Sequence, residues 1–331
     1  MSRVFFLIGL FLLLGSQAWG KGPSVVASIY PLYEILREVG GKYVSASLLL
    51  PPGADPHSWE PTPKDLLLLQ KASLIFVVGK GLEPWLEDII KSLPKVRILR
   101  AADSAPLLFL KGHRIDPHLW LDFKWDASLA LRLGKALAQI DPFHREVYLR
   151  RAQNLRERFL HLDQTYRQTL ANCKSKYLLV AGHNAFGYWE RAYGLKVISL
   201  AGTSPEAEPT PRALAQALRL IKKNRIKAVF YEEPSSRRFA ELLAKEAGLN
   251  KVLYLTPGAS LPREELQNNP TFFDLMERNL HHLAQGLSCP LPTNNSLLKE
   301  EKGLFSFRGT EGAFDVPLPK PFPAPLEVQP I

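Results

Sequence analysis

The sequence predicts an α/β protein of two lobes, each with a parallel four-stranded sheet flanked by helices, joined by one long rigid connector helix. Three observations predict it. Eight short β-rich runs alternate with segments of helical periodicity, the pattern of parallel strands covered on both faces. The runs fall into two sets of four, separated by a single long helical stripe. The chain has 331 residues, 46% of them hydrophobic, which is enough for two separate cores.

Residues 1–20 read as an export signal. Arg3 supplies the positive start, residues 4–15 are almost wholly apolar, and Ala18 and Gly20 form a small-x-small cleavage pattern. The apolar run is too short and wrongly flanked for a typical spanning helix. No cysteine follows the cleavage point to carry a lipid, and no second long apolar run occurs. A soluble, exported protein is expected, periplasmic if the source has two membranes.

Residues 21–140 form the first expected lobe, with strands SVVASIY, VSASLLL, SLIFVVG and VRIL and helices PLYEILREVG, PKDLLLLQKA and LEPWLEDIIKSL. The connector is expected over 141–172. Asp141 can cap its start and Pro142 suits its first turn. Tyr148, Ala152, Leu155, Phe159, Leu162 and Tyr166 then recur at spacings of three and four. At 1.5 Å per residue such a helix is roughly 45 Å long, enough to cross both lobes and to limit hinge motion. Residues 173–289 form the second lobe, with strands YLLVAG, KVISLAG, KAVFYEE and KVLYLT and helices PRALAQALRLIKK and SRRFAELLAKEAG. Residues 290–331 hold 8 of the 27 prolines and read as an extended or disordered tail.

The formal net charge is +10, from 42 basic and 32 acidic residues. The basic residues are spread over helices such as LRRAQNLRERF and KKNRIK, with no stripe of stacking aromatics between them, so solvated faces are expected and no nucleic-acid partner. A monomer is expected. The two cysteines, Cys173 and Cys289, would meet an oxidising compartment after export, which predicts a disulfide closing the second lobe; two free buried thiols are the alternative.

His57, His118 and His183 are 61 and 65 residues apart, far too distant for a local zinc module. His57 and His183 follow strand-like runs, and ligands in open parallel sheets bind outside the carboxyl ends of strands. His118 lies between Asp116 and Asp122, in the last stretch before the connector region. Three neutral imidazoles are a suitable donor set for a zinc-like cation and leave one tetrahedral position open. His113, His144, His161, His281 and His282 lie in a charged loop or on helices and form no such set.

GADPHSWEPTPKD around His57, DPHLWLD around His118 and AGHNAFGYWERAYGLKVISLAGTSPEAEPTP from Ala181 are similar, in that order, to the three ligand motifs of the metal-binding solute-binding proteins of ABC transporters, the ZnuA/TroA-like (cluster A-I) family. The resemblance runs from about Val25 to Gly286. It implies two α/β lobes on a long helix, a buried cation between them held by His57, His118 and His183, and delivery to a membrane permease. Manganese-preferring relatives tend to carry a carboxylate at the third position, so His183 implies the zinc type. Nitrogen ligands favour zinc over manganese on chemical grounds too. Zn2+ is therefore the expected cargo, with Mn2+ or Fe2+ as alternatives.

Two departures from the family's pattern bear on the site. The fourth ligand is often a carboxylate after the last strand, but LYLTPGAS places Thr256 there, which leaves water, Glu232 or Glu233 for that role. The stretch 100–116 has one histidine, His113, where zinc-type relatives often carry a long His- and acid-rich loop. Pro56, Pro61 and Pro63 are expected to stiffen the first loop, with Glu60 hydrogen-bonded. Glu206 and Glu208 are expected to brace the loop before Pro211, and Trp59, Trp120 and Trp189 to seal the site or fill core. A chelate- or vitamin-binding protein of similar plan remains an alternative function. A three-histidine zinc hydrolase or lyase is another, although H-E-x-x-H, G-x-S-x-G and a glycine-rich phosphate loop are all missing.

Overall fold

The computed structural model describes residues 22–290, apart from 94, 104, 111, 112 and 203–206. The expected signal and tail lie outside the described residues, except for Pro290, and Glu206 also lies outside them.

The first half runs β1 (Ser24–Ala27), α1 (Tyr30–Gly40), β2 (Ser45–Leu48), α2 (Pro63–Gln70), β3 (Leu74–Val77), α3 (Leu86–Lys91) and β4 (Arg97–Arg100). Two long helices follow, α4 (Phe123–Ile140) and α5 (Arg145–Ala171). The second half runs β5 (Tyr177–Val180), α6 (Gly187–Tyr193), β6 (Lys196–Ser199), α7 (Pro211–Asn224), β7 (Val229–Tyr231), α8 (Pro234–Glu246), β8 (Val252–Tyr254), α9 (Arg263–Gln267) and α10 (Phe272–Gly286). All eight expected strands are present. They form two parallel sheets of identical order, β2-β1-β3-β4 and β6-β5-β7-β8.

Local chemistry sets the boundaries. Thr62 caps α2 in a reciprocal box with Asp65, and Pro63 takes the first turn; Thr271 and Asp274 repeat the box on α10. Thr210 caps α7 and Asp122 caps α4. The connector differs from expectation in two ways. Its α-helix begins at Arg145, because residues Pro142–His144 form a 3-10 turn. Asp141 gives no side-chain cap; its carboxylate instead accepts from the Tyr148 hydroxyl (2.6 Å) and pairs with His144 Nδ1 (2.6 Å). The 27 residues of α5 span roughly 40 Å, and α4 folds back on α5 as a helical hairpin.

One core runs through both halves. Leu129 and Leu133 of α4 and the expected stripe of α5 are buried together with Phe76 below one sheet and Phe230 below the other. Smaller clusters cover the outer faces, around Val26 and Ile75 in the first half and around Leu179 and Val229 in the second. Close-packed side chains shared in this way resist hinge opening. Cys173, after α5, is bonded to Cys289, after α10, so the expected disulfide is present. No helix among the described residues is long and apolar enough to cross a membrane.

Candidate metal centre

The three histidines reach one point from three kinds of backbone. His183 follows β5 almost directly, on the extended run through Val180 and Ala181. His57 sits in the turn-rich loop between β2 and α2, where Asp55 Oδ1 accepts its backbone N–H at 2.9 Å. His118 precedes a 3-10 turn (Leu119–Leu121) that leads into α4. Their ring centroids are 5.2 Å (His57–His118), 5.8 Å (His57–His183) and 5.2 Å (His118–His183) apart. The Nε2 atoms of His118 and His183 approach to 3.2 Å. These are the one group of three or more His, Cys, Asp or Glu among the described residues whose ligand atoms all lie within 4.8 Å of one another.

Two of the rings are backed by buried carboxylates. His118 Nδ1 meets Asp116 Oδ1 at 2.7 Å, and the same oxygen accepts the His118 backbone N–H at 3.1 Å. His183 Nδ1 meets Glu232 Oε1 at 3.0 Å, and that oxygen accepts the His183 backbone N–H at 2.8 Å. Glu232 follows β7, the strand beside β5, so both groups stand at the carboxyl ends of the two central strands of the second sheet. Trp120 packs on the His118 ring at 5.3 Å and donates its indole N–H to the Pro257 carbonyl at 2.7 Å, tying the first half's ligand loop to the second half.

The three rings titrate differently. Burial, with the neighbouring His118 and His183, pushes His57 down to about 3. Burial also lowers His118, against the opposing Asp116. Burial acts to lower His183 as well, but the hydrogen bond and charge of Glu232 outweigh it and raise the ring. At neutral pH the site therefore presents neutral nitrogens from the first half, the form a metal requires.

A cavity of about 130 Å³ opens beside the histidines, bounded by Gly53, Glu233, Tyr254, Thr256, Ala259 and Ser260 among others. Neither acid considered for the fourth position joins the cluster. Glu232 is turned onto His183, because its oxygen is held by that residue's ring and amide. Glu233 caps α8, in a reciprocal box with Ser236. Thr256 does line the cavity, and its hydroxyl accepts from the Gly258 N–H at 3.0 Å.

Other motif residues have structural roles. Trp189 is fully buried and stacks on Phe186; Trp59 meets Trp85 edge-on. Glu208 pairs with Arg238. Glu60 is exposed and makes no hydrogen bond among the described residues. Sequence reasoning missed the pairing of Glu232 with His183. The available signal was an acid closing the strand next to the one that ends at the histidine.

Two α/β lobes on a long helix, with a histidine cluster at their facing strand ends, are the plan of a two-lobed solute-binding protein. The chain belongs to the family described as zinc-uptake complex component A, periplasmic (ZnuA), whose model matches residues 25–286. It is 31% identical over 298 residues to the zinc-binding lipoprotein AdcA of Streptococcus pneumoniae, covering 84% of this chain and 59% of AdcA. The chain thus spans about three fifths of the length of that relative. It is 28% identical over 312 residues to the high-affinity zinc uptake system protein ZnuA of Bacillus subtilis, covering 86% of this chain and 97% of that one. Among solved structures, the Zn(II)-bound ZnuA-like domain of S. pneumoniae AdcA superposes with a TM-score of 0.72 at 31% identity, over 80% of this chain and 99% of the domain. The laminin-binding protein Lmb of Streptococcus agalactiae gives 0.72 at 32% identity, over 80% and 100%.

Proposed function

We propose that the protein captures Zn2+ outside the cytoplasm, in the periplasm, with His57, His118 and His183 as ligands, and hands it to an ABC-transporter permease. The observation that carries this is the 3.2 Å between Nε2 of His118 and Nε2 of His183, with the His57 ring beside both. With zinc–nitrogen bonds of about 2.0–2.1 Å, that separation subtends an angle of roughly 99–106° at the metal, near the tetrahedral value. Three imidazoles and no carboxylate within the cluster favour zinc over manganese. The zinc-binding names of the similar proteins agree with this reading. In the working protein, residues 1–20 act as the export signal and 21–140 and 173–289 as the lobes on the 141–172 connector. The chain acts as a monomer.

The chemistry is capture and release. The rings displace water from the ion, the carboxylates behind His118 and His183 hold those two rings in place, and the shared core keeps the lobes from opening widely. A competition titration with zinc and manganese tests the reading. One zinc per chain is expected, bound more tightly than manganese. His118→Ala or His183→Ala should each cost roughly 3–4 kcal/mol of zinc binding, several hundredfold. Parent-like titration of all three single alanine variants, His57→Ala included, would place the metal elsewhere.

A further inference from the structure

The carboxylates of Asp116 and Glu232 are buried, at 0% and 2% side-chain exposure, and each sits against one histidine ring. Among the described residues, the second oxygen of Asp116, Oδ2, has no hydrogen-bond partner. Burying a carboxylate in this way is costly unless something else in the site uses its charge. The backbone has been shaped to admit both. A Cβ on Gly182 would stand 1.8 Å from Glu232 Oε1, and a Cβ on Gly187 would stand 2.5 Å from Asp116 Oδ2. Neither glycine has a left-handed φ, so neither is there for a turn. Room for a carboxylate is the reason the geometry offers.

We propose that Glu232 and Asp116 are positioning residues that set the zinc affinity of the site. Each holds one imidazole in the tautomer that carries its proton on Nδ1 and offers Nε2 to the metal, and Gly182 and Gly187 make space for them. The inference rests on the zinc-capture reading above and deepens it. The two Nε2 atoms face each other at 3.2 Å, close enough for one metal ion to bind both. Among the described residues His57 has a backbone bond to Asp55 and no carboxylate on its ring, so the two-fold support is a property of His118 and His183.

The test begins with the metal-free protein. Long-range proton–nitrogen NMR at pH 8.5 reports the tautomer of each histidine, and it should show Nδ1–H at His118 and His183. Glu232→Ala should return His183 to the Nε2–H form that an unsupported ring prefers, and lower zinc affinity by about 10–100-fold. Glu232→Gln keeps an acceptor oxygen but removes the charge, so it should keep the tautomer and lose less affinity. Gly182→Ala should reproduce the alanine effect with Glu232 still present. Far-UV circular dichroism separates these outcomes from misfolding, and Asp116→Ala supplies the parallel measurement at His118 if Glu232→Ala does not fold. A folded Glu232→Ala protein with parent-like zinc affinity, or an Nε2–H tautomer at both rings in the parent, overturns the proposal. Failure of the parent itself to bind zinc would instead overturn the function on which it rests.

Discussion

The two lobes share one strand order, and each buries a glutamate just beyond its central strands, yet they put that glutamate to different use. In the first lobe Glu83 turns back into its own loop. It accepts from Ser28 Oγ at 2.6 Å and from the Val78 and Gly79 amides at 2.8 Å each, which closes the crevice between β1 and β3. In the second lobe the crevice between β5 and β7 holds His183, and Glu232 is spent on orienting it. The first lobe then supplies its two ligands from loops beyond its edge strands, β2 and β4. One topology can therefore carry a ligand at its switch point or seal that point, and one buried acid decides which.

The covalent tie between Cys173 and Cys289 lies wholly in the second lobe, and the largest expected effect breaks it. The bond closes a span of 116 residues. On the chain-entropy account, its loss destabilises by about 4–5 kcal/mol, chiefly by freeing the unfolded chain. Chemical denaturation of the reduced protein, or of Cys289→Ser, measures this. Because one core runs through both lobes, a single transition at lower denaturant is expected; a split into two would show that the lobes unfold separately.

The second effect sharpens the contrast between the two glutamates. Glu83→Ala leaves three buried donors without an acceptor, a loss of roughly 2–4 kcal/mol in stability at about 1 kcal/mol or more for each. Zinc affinity should hardly change, since nothing links Glu83 to a ligand. The mirror result is expected of Glu232→Ala, which should cost affinity more than stability. If Glu83→Ala weakens zinc as much as Glu232→Ala does, the division of roles between the lobes is wrong.

Much of this comparison was legible in the sequence. The eight strands announced themselves as short β-rich runs, and the three histidines as motifs in a fixed order. The stripe from Tyr148 to Tyr166 predicted the buried face of α5 residue by residue. Helix α4 was not foreseen, because Phe123–Ile140 mixes small and charged residues and its buried face includes Ala127, Ala130 and Gly134. Gly134 shows why: a Cβ there would stand 2.6 Å from Ala152, so close approach to α5 selects small residues that dilute a hydrophobic pattern. The role of Glu232 was hidden for another reason. A carboxylate at a strand end is equally suited to holding a metal or a histidine, and only the position of the neighbouring ring separates the two.

The lobes also differ in how their ligands meet protons. His57 is held down to about 3 and His118 is lowered, whereas Glu232 raises His183 above the usual 6.5. In the metal-free protein, His183 is therefore the first of the three rings to take up a proton as pH falls. The logarithm of zinc affinity should thus begin to fall with a slope near one, where three ordinary imidazoles would give a slope approaching three below about 6.5. Competition titrations at pH 7, 6 and 5 give the slope. Stability follows the opposite pattern at the two rings. The contribution of His57 is present above about 6.5 and is lost as pH falls toward 3, because the unfolded chain binds that proton first. That of His183 is present below about 6.5 and is lost as pH rises through its raised value.

The smallest effect concerns the open side of the cluster. Thr256 is 2% exposed and its backbone is pinned to α10, with Asn279 accepting from its amide at 3.1 Å and donating to its carbonyl at 2.7 Å. Any side chain at this position therefore starts from a fixed place on the cavity wall that the histidines share. Thr256→Asp would add a hard oxygen donor there. Manganese gains more from an oxygen ligand than zinc does, so its affinity should rise about tenfold, or 1.4 kcal/mol, with a smaller change for zinc. The metal-free variant should be less stable than the parent by roughly 1–3 kcal/mol, since the new carboxylate is buried without a cation. Adding metal should restore that loss through binding to the folded state alone. Unchanged or weaker manganese binding would mean that position 256 does not face the ion, and that the second lobe contributes a single ligand to it.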